Sequence, residues 1–555
     1  MRQHRCLLTL LICLLPIASL GGWERGGEED ADTCANNHNH DKGERQWSLA
    51  QWVDAMPQAH AKHLHVSSQR TVHENGVFTS QRVDTDDDIV RIPINACLTA
   101  SSVASKVDGP VRFVLEGRAG KHAANALMES VDAALAMHLL HAANLKKTSN
   151  IGEDGNVAKW LGMTPTSIRT VMSLTPKELK ALQGSNVLAF REQVSATWRE
   201  VYESVVVPLT NAAPSTFPPK RFERARFLWA MRAVWSRAID VDVRDASRDQ
   251  PSTLRALCPL VDMINHDASR PVDAFVKNGV LHLRNRGAPI TAGTEVLVSY
   301  GNRSSTATAL VYGFIEHDNV HDAVDVLLEA SEGAAGTPLA RRRESLLRRA
   351  GVLSSASDGE DANQGNLETP RFLANSLDPH LVLTARLRVA TEEELDDAEQ
   401  IARTSKRGAR ALLGPPVWRA GQSNDARARI TLLDAADALL RRYPGTVNDD
   451  DAAMSAALAS ESPGKVLAIA LRMSEKRVLL ASLDHVRAEF SEEGAEDACD
   501  ARFGDDLARM RCRKLSKAGA TWAGPEAPRF DVKFRKDEDG KAARPGEGVR
   551  VRVVS

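Results

Sequence analysis

The segment CPLVDMINHDASRP at 258–271, with the run GTEVLVSYGNRSSTATALVYGFIEHDNVHD at 293–322, decides how the rest of the chain is read. Between and within these runs, 274–283 and 295–300 have the apolar and β-branched character of short strands, the first of them hairpin-like. Two of the four tyrosines, Tyr300 and Tyr312, fall inside the second run; the others are Tyr202 and Tyr443. In a chain with only 5% aromatic residues, that proximity is the first feature to explain. Taken singly, a tyrosine at a strand end is usually core with a satisfied hydroxyl. His266 alone reads as a structural histidine. Arg237, at the end of an apolar helical run, reads as a charge complementing the helix dipole.

Working outward, SLAQWVDAM suggests a short helix, and HLHVSS, NGVFTSQRV and DIVRIPI read as strands separated by turns. Asn75 and Gly76 form a natural tight-turn pair. From about 122 to 235 the periodicity is helical, as in ALMESVDAALAMHLL and in the run from Pro176 to Gln183 behind the cap signal of Thr175. Residues 353–367 lack apolar periodicity and read as a linker. Beyond it, PHLVLTARLRVATEEEL, ITLLDAADALLRRY and KVLAIALRMSEKRVLLASL are helical. The charged stretch 491–555 is expected to be disordered. The fold class expected is α+β: a β-rich domain over 47–315 with a helical insert, then a mostly α-helical domain over 368–490.

Composition narrows function without naming it. A chain of 555 residues holds two or three domains. Lys and Arg number 71 against 73 Asp and Glu, a formal charge of -2, so no general basic field exists to gather nucleic acid. Residues 1–22 carry a basic start, a short apolar run and small residues, the pattern of a secretory signal; Pro16 and the shortness of the run speak against a membrane span. Residues 23–46 read as an acidic flexible leader. The seven cysteines are too few and scattered for a disulfide scaffold, and removal of a signal would leave an odd number. No metal site is expected: no Cys/His zinc spacing occurs, and His38, His40, His60, His63 and His65 lack partners to complete a shell. The stretch Gly117 to His122 misses the phosphate-loop pattern at its first and last positions. Arg341, Arg342, Arg343, Arg348 and Arg349 read as a solvated helix face. Asp449, Asp450 and Asp451 read as favourable charge at a helix N-terminus.

Three matches in fixed order lift the decisive stretch above these bland readings. Asp262-Met-Ile-Asn265-His266, Ser299-Tyr300-Gly301 and Tyr312-Gly313-Phe314 together resemble the SET-domain methyltransferases, in the branch of Rubisco lysine methyltransferase and its actin-histidine relatives. Glu74 to Phe78 followed by DIVRIP is similar to the opening strand pair of that family. Trp235-Ser236-Arg237 is similar to the end of its inserted helical region over about 122–235, and the later helices to its substrate-binding domain. The resemblance spans about 47–490.

It implies a SET β-fold with a helical insert, a helical substrate-binding domain, and S-adenosyl-L-methionine as cofactor. It implies transfer of a methyl group to a protein lysine side chain, with Tyr300 as the catalytic residue, a positioner as much as a base. Gly76, Phe78, Arg237, Asp262, Asn265 and His266 are then expected to bind the cofactor, and Ile239, Tyr312 and Phe314 the substrate. Arg237 would pair with the cofactor carboxylate, and Gly76 would let backbone approach closely. The actin-histidine branch carries an asparagine at the position of Ile239; isoleucine cannot hydrogen-bond an imidazole, which favours lysine. The alternatives are a histidine methyltransferase and a catalytically silent SET protein that binds partners. A monomer is expected, with no nucleic acid and no stable membrane span. A secretory or secondary-plastid route follows from the N-terminus, otherwise a cytoplasmic location. The sequon Asn302-Arg303-Ser304, two residues past Tyr300, conflicts with the secretory route, because a glycan there would obstruct the site.

Overall fold

The computed structural model describes residues 48–67, 75–99, 131–145, 153–212, 214–215, 217–244, 252–326, 328, 336–352, 370–504, 506–517, 529–534 and 549–554. The signal-like segment, the acidic leader, the linker at 353–367 and the segment 117–122 lie outside them.

Strands β1 (Leu64–Ser67) and β2 (Gly76–Thr79) pair antiparallel, and Gly76, expected in a tight turn with Asn75, is instead the first residue of β2, opposite Ser67. Next come β3 (Asp88–Pro93), β4 (Leu98–Thr99), β5 (Ile239–Val243), β6 (Ser252–Leu257), β7 (Asn265–His266), β8 (Val272–Lys277), β9 (Val280–Asn285) and β10 (Leu297–Val298). Six of them form one sheet in the order β3-β9-β8-β5-β6-β4. β8 and β9 join through Asn278 and Gly279, both at positive φ, the tight hairpin turn that needs such residues. The sequence reading lacked β5 and β6, although Ile239, Val241 and Val243 alternate with two aspartates.

The polypeptide between β4 and β5 is helical where described. Val131–Leu145 packs against Arg224–Arg237, and Asp132 accepts from Trp235 Nε1 at 3.0 Å. At Thr175 the predicted cap is present with its reciprocal Glu178 bond, but the helix it starts runs only Pro176–Leu179 before tightening into a 3₁₀ turn.

Downstream of the SET-like strands, β11 (Ala323–Asp325) pairs with β12 (Arg371–Leu373), and helices Pro338–Ala350, Pro379–Arg388, Glu392–Thr404, Gln422–Leu440, Val447–Ala459 and Pro463–Glu489 follow. The 27-residue helix Pro463–Glu489 serves two cores. Its Leu467, Ala468 and Leu471 pack into the core around the six-stranded sheet, and its Val478, Leu479, Leu483 and Val486 into the core of the helical domain.

Two expectations are corrected. Part of the stretch expected to be disordered is helical: Ala495–Arg502 and Asp506–Ser516 are helices joined by a Cys499–Cys512 disulfide, and Ala495, Ala498 and Cys499 pack with Ala426 and Ile430. High charge hid this because the apolar stripe is narrow and the bridge supplies cohesion that hydropathy does not register. The tail also carries an antiparallel pair, Arg529–Phe534 with Val549–Val554. Second, Asp450 is fully buried and pairs with Arg472 and Lys476 at 2.6 and 2.8 Å. The expected place at a helix N-terminus stands, since Asp449 and Asp450 lie in the first turn of Val447–Ala459, but for Asp450 it is incomplete: this carboxylate also belongs to an internal ion cluster.

Candidate functional site

Three chain segments far apart in sequence meet at one end of the sheet. Val296 N–H donates to the Val77 carbonyl at 2.7 Å, and Phe78 bridges antiparallel to Glu295. β7 lies parallel to β10, with Asn265 opposite Leu297 and His266 opposite Val298. The start of β2 at Gly76, the Asn265–His266 pair and the strand leading to Tyr300 are therefore brought together, as the sequence reading requires.

Each polar side chain has a defined task. Asn265 Nδ2 donates to the Asn75 carbonyl at 3.0 Å and to Glu295 Oε1 at 2.7 Å, tying the residue before β2 to the strand that leads to Tyr300. His266 Nδ1 accepts the Tyr300 backbone N–H at 3.0 Å, which places the proton of a neutral ring on Nε2, 3.5 Å from Glu316 Oε2. Arg237, the last residue of its helix, donates through Nη1 to the Asp262 carbonyl at 2.7 Å. The Asp262 carboxylate is 3% exposed, lies 3.7 Å from Arg237, and accepts Trp160 Nε1 at 3.2 Å. Burial lifts its pKa to about 6 against the pull of Arg237 and Trp160. Asp262 is thus engaged inside the protein, where it holds Arg237. Phe78 is 4% exposed and stacks on His65, and Gly76 is buried.

Four rings form a continuous wall. Tyr300 lies 4.7 Å from Tyr312 and 4.9 Å from His266, and Phe314 lies 5.5 Å from His266 and 6.0 Å from Tyr312, centroid to centroid. Tyr312 follows the helix Ser305–Val311, and Gly313 then turns the chain at φ +83°. A Cβ at Gly313 would fall 1.6 Å from the Arg169 carbonyl oxygen, so glycine is what lets Tyr312 and Phe314 flank the same space. Arg303 lies over Tyr312 at 5.8 Å.

The Tyr300 hydroxyl donates to the Ile264 carbonyl at 2.7 Å. Burial, aided by Tyr312, holds this phenol well above its usual range, with Arg237 opposing. It is a neutral hydrogen-bonding group, suited to positioning and unsuited to removing a proton. Ile239 begins β5 opposite Ala256, two residues past Arg237, and packs against the sheet core. The sequence reading missed Glu295, Trp160 and Glu316. Only Glu295 offered a signal, as an acid inside the strand-like run that ends on Tyr300.

Residues 334–479 match the family described as Rubisco LSMT substrate-binding. The crystal structure of the SET domain of LSMT bound to MeLysine and AdoHcy superposes with a TM-score of 0.56 at 17% identity, covering 85% of this chain and 96% of that one. This chain has a SET fold. Rubisco LSMT bound to AdoMet gives a TM-score of 0.54 at 17% identity over 83% of this chain and 97% of that one. In sequence, the actin-histidine N-methyltransferase of Mus musculus is 23% identical over 417 residues, 73% of this chain. The chloroplastic ribulose-1,5 bisphosphate carboxylase/oxygenase large subunit N-methyltransferase of Nicotiana tabacum is 26% identical over 346 residues, 59% of this chain. The SET-fold chain spans 62% of the length of each of these two relatives.

Proposed function

We propose that this chain is a protein-lysine N-methyltransferase that uses S-adenosyl-L-methionine. The observation that carries the reading is the aromatic wall of Tyr300, Tyr312, Phe314 and His266 beside a neutral, half-buried Tyr300 hydroxyl.

The residues present fit the cofactor. Arg237 spends Nη1 on the Asp262 carbonyl, and its other N–H groups suit a carboxylate. The buried Gly76 lets backbone approach closely. The cofactor supplies an electrophilic methyl group on a cationic sulfur. What remains for the protein is alignment and electrostatics. The rings confine a long alkyl-amine stem and favour its cationic forms through their faces. Tyr300, fixed by Ile264 and by the His266 contact to its own N–H, orients the amine without taking its proton. That proton leaves to water, helped by desolvation, which lowers a lysine pKa from about 10.4.

Lysine is favoured over histidine by the apolar Ile239 at the start of β5. The relatives include enzymes named for each residue. The acceptor is a protein, in keeping with the near-neutral charge of the chain.

The test is incubation with isotope-labelled S-adenosylmethionine and a cell lysate, with the modified residue mapped by mass spectrometry. Lysine should carry label with the native protein. Tyr300→Phe should lose at least ~100-fold in transfer, in the range of a lost positioning or electrostatic contact, while retaining cofactor affinity. Label on histidine alone would replace lysine as acceptor. Cofactor binding without any Tyr300-dependent label would favour a silent partner-binding protein.

A further inference from the structure

Glu295 sits where the cofactor reading needs a negative charge, and nothing yet described uses it. It immediately precedes the Val296 N–H that bonds Val77, and it bridges Phe78, so it stands beside β2. Asn265 spends its amide on two acceptors, the Asn75 carbonyl and Glu295 Oε1, and thereby clamps the carboxylate at the meeting point of all three segments. Among the described residues no lysine, arginine or histidine pairs with Glu295, and no hydrogen bond reaches Oε2. Arg237 bonds the Asp262 carbonyl through Nη1 and forms no ion pair with Glu295. Burial raises the Glu295 pKa and Asn265 only partly offsets it. A half-buried carboxylate with one donor is costly unless a cation completes it.

We propose that Glu295 is the carboxylate that binds the positive charge of the cofactor, with Asn265 as the residue that aims it. The inference rests on the methyl-transfer reading. Two groups on the cofactor share the required chemistry, the amino-acid ammonium and the sulfonium. They have different consequences: the ammonium persists in the demethylated product, whereas the sulfonium does not. Pairing with the sulfonium would make Glu295 a device for preferring fresh cofactor over spent product.

The test is calorimetric binding of S-adenosylmethionine and S-adenosylhomocysteine to the full chain and to Glu295→Gln. This substitution keeps shape and removes charge. Loss of a charge-assisted contact should weaken S-adenosylmethionine binding roughly tenfold or more. An equal loss for both ligands assigns the ammonium; a loss confined to S-adenosylmethionine assigns the sulfonium. Native affinity should rise with pH as Glu295 ionises, and the variant should lack that dependence. A melting curve of each ligand-free protein separates lost binding from lost folding, and Glu295→Asp, which keeps the charge, should recover part of the affinity. Native binding with unchanged affinity in Glu295→Gln at every pH would overturn the proposal while leaving methyl transfer standing. Failure of the native protein to bind either ligand would refute the methyl-transfer reading itself and this inference with it.

Discussion

Replacing Glu475 with glutamine should change how the stability of the protein depends on pH. Glu475 is 3% exposed on the helix Pro463–Glu489. Its carboxylate accepts Ser185 Oγ at 2.7 Å, Tyr443 OH at 3.0 Å and Thr306 Oγ1 at 3.4 Å, so it bolts the helical domain to the SET-fold domain. Burial raises its pKa from 4.5 to about 7; the three hydroxyls oppose this, and the nearby Asp322 adds to it. The folded protein therefore holds this proton more tightly than the unfolded chain. Stability from this group is fully present below pH 4.5, declines as pH rises toward 7, and is level above. The rise from 4.5 to about 7, at about 1.4 kcal/mol per pH unit, corresponds to about 3.5 kcal/mol. Glutamine stays neutral throughout. Against the native protein, Glu475→Gln should differ little at pH 5, beyond about 1 kcal/mol for an altered hydrogen bond, and gain up to about 3.5 kcal/mol by pH 8. Denaturant unfolding of both proteins at half-unit pH steps measures the difference directly. Parallel curves from pH 5 to 8 would refute the argument, because they would mean that Glu475 titrates alike in the folded and unfolded chains.

Two further substitutions probe the site and the domain behind it. Gly313→Ala drives a Cβ into the Arg169 carbonyl at a backbone angle alanine disfavours, and should cost about 3 kcal/mol or more by thermal unfolding, with transfer activity falling because Tyr312 and Phe314 move. Asp450→Ala strands Arg472 and Lys476 inside the helical domain and should cost about 3–5 kcal/mol in denaturant melts, whereas the same change at the exposed Asp449 should cost about 1 kcal/mol through its cap.

Much of the site was legible because its chemistry is carried by short runs in fixed order. Asn265, His266, Tyr300, Tyr312 and Phe314 do converge, and the parallel pairing of β7 with β10 is the reason. What sequence could not convey is which atom serves whom. Asp262 gives no sign in the sequence that Trp160, a hundred residues earlier, bonds its carboxylate. Glu295 looks like an ordinary polar strand residue until the Asn265 amide is seen to reach it. The same limit explains Asp450, whose partners lie two turns of another helix away, and the Cys499–Cys512 bridge, which no spacing rule announces.

The helix Pro463–Glu489 makes the two domains a poor pair of modules. Leu467, Ala468 and Leu471 fill a face of the sheet core, so a protein cut at 353–367 would expose that face and lack the Glu475 bolt. During synthesis the SET-fold half must wait for some hundred and fifty further residues before its core closes. Any chimera that exchanges the helical domain therefore has to carry the first half of this helix with the SET-fold half, and place its seam near residue 474, inside a helix rather than in the apparent linker.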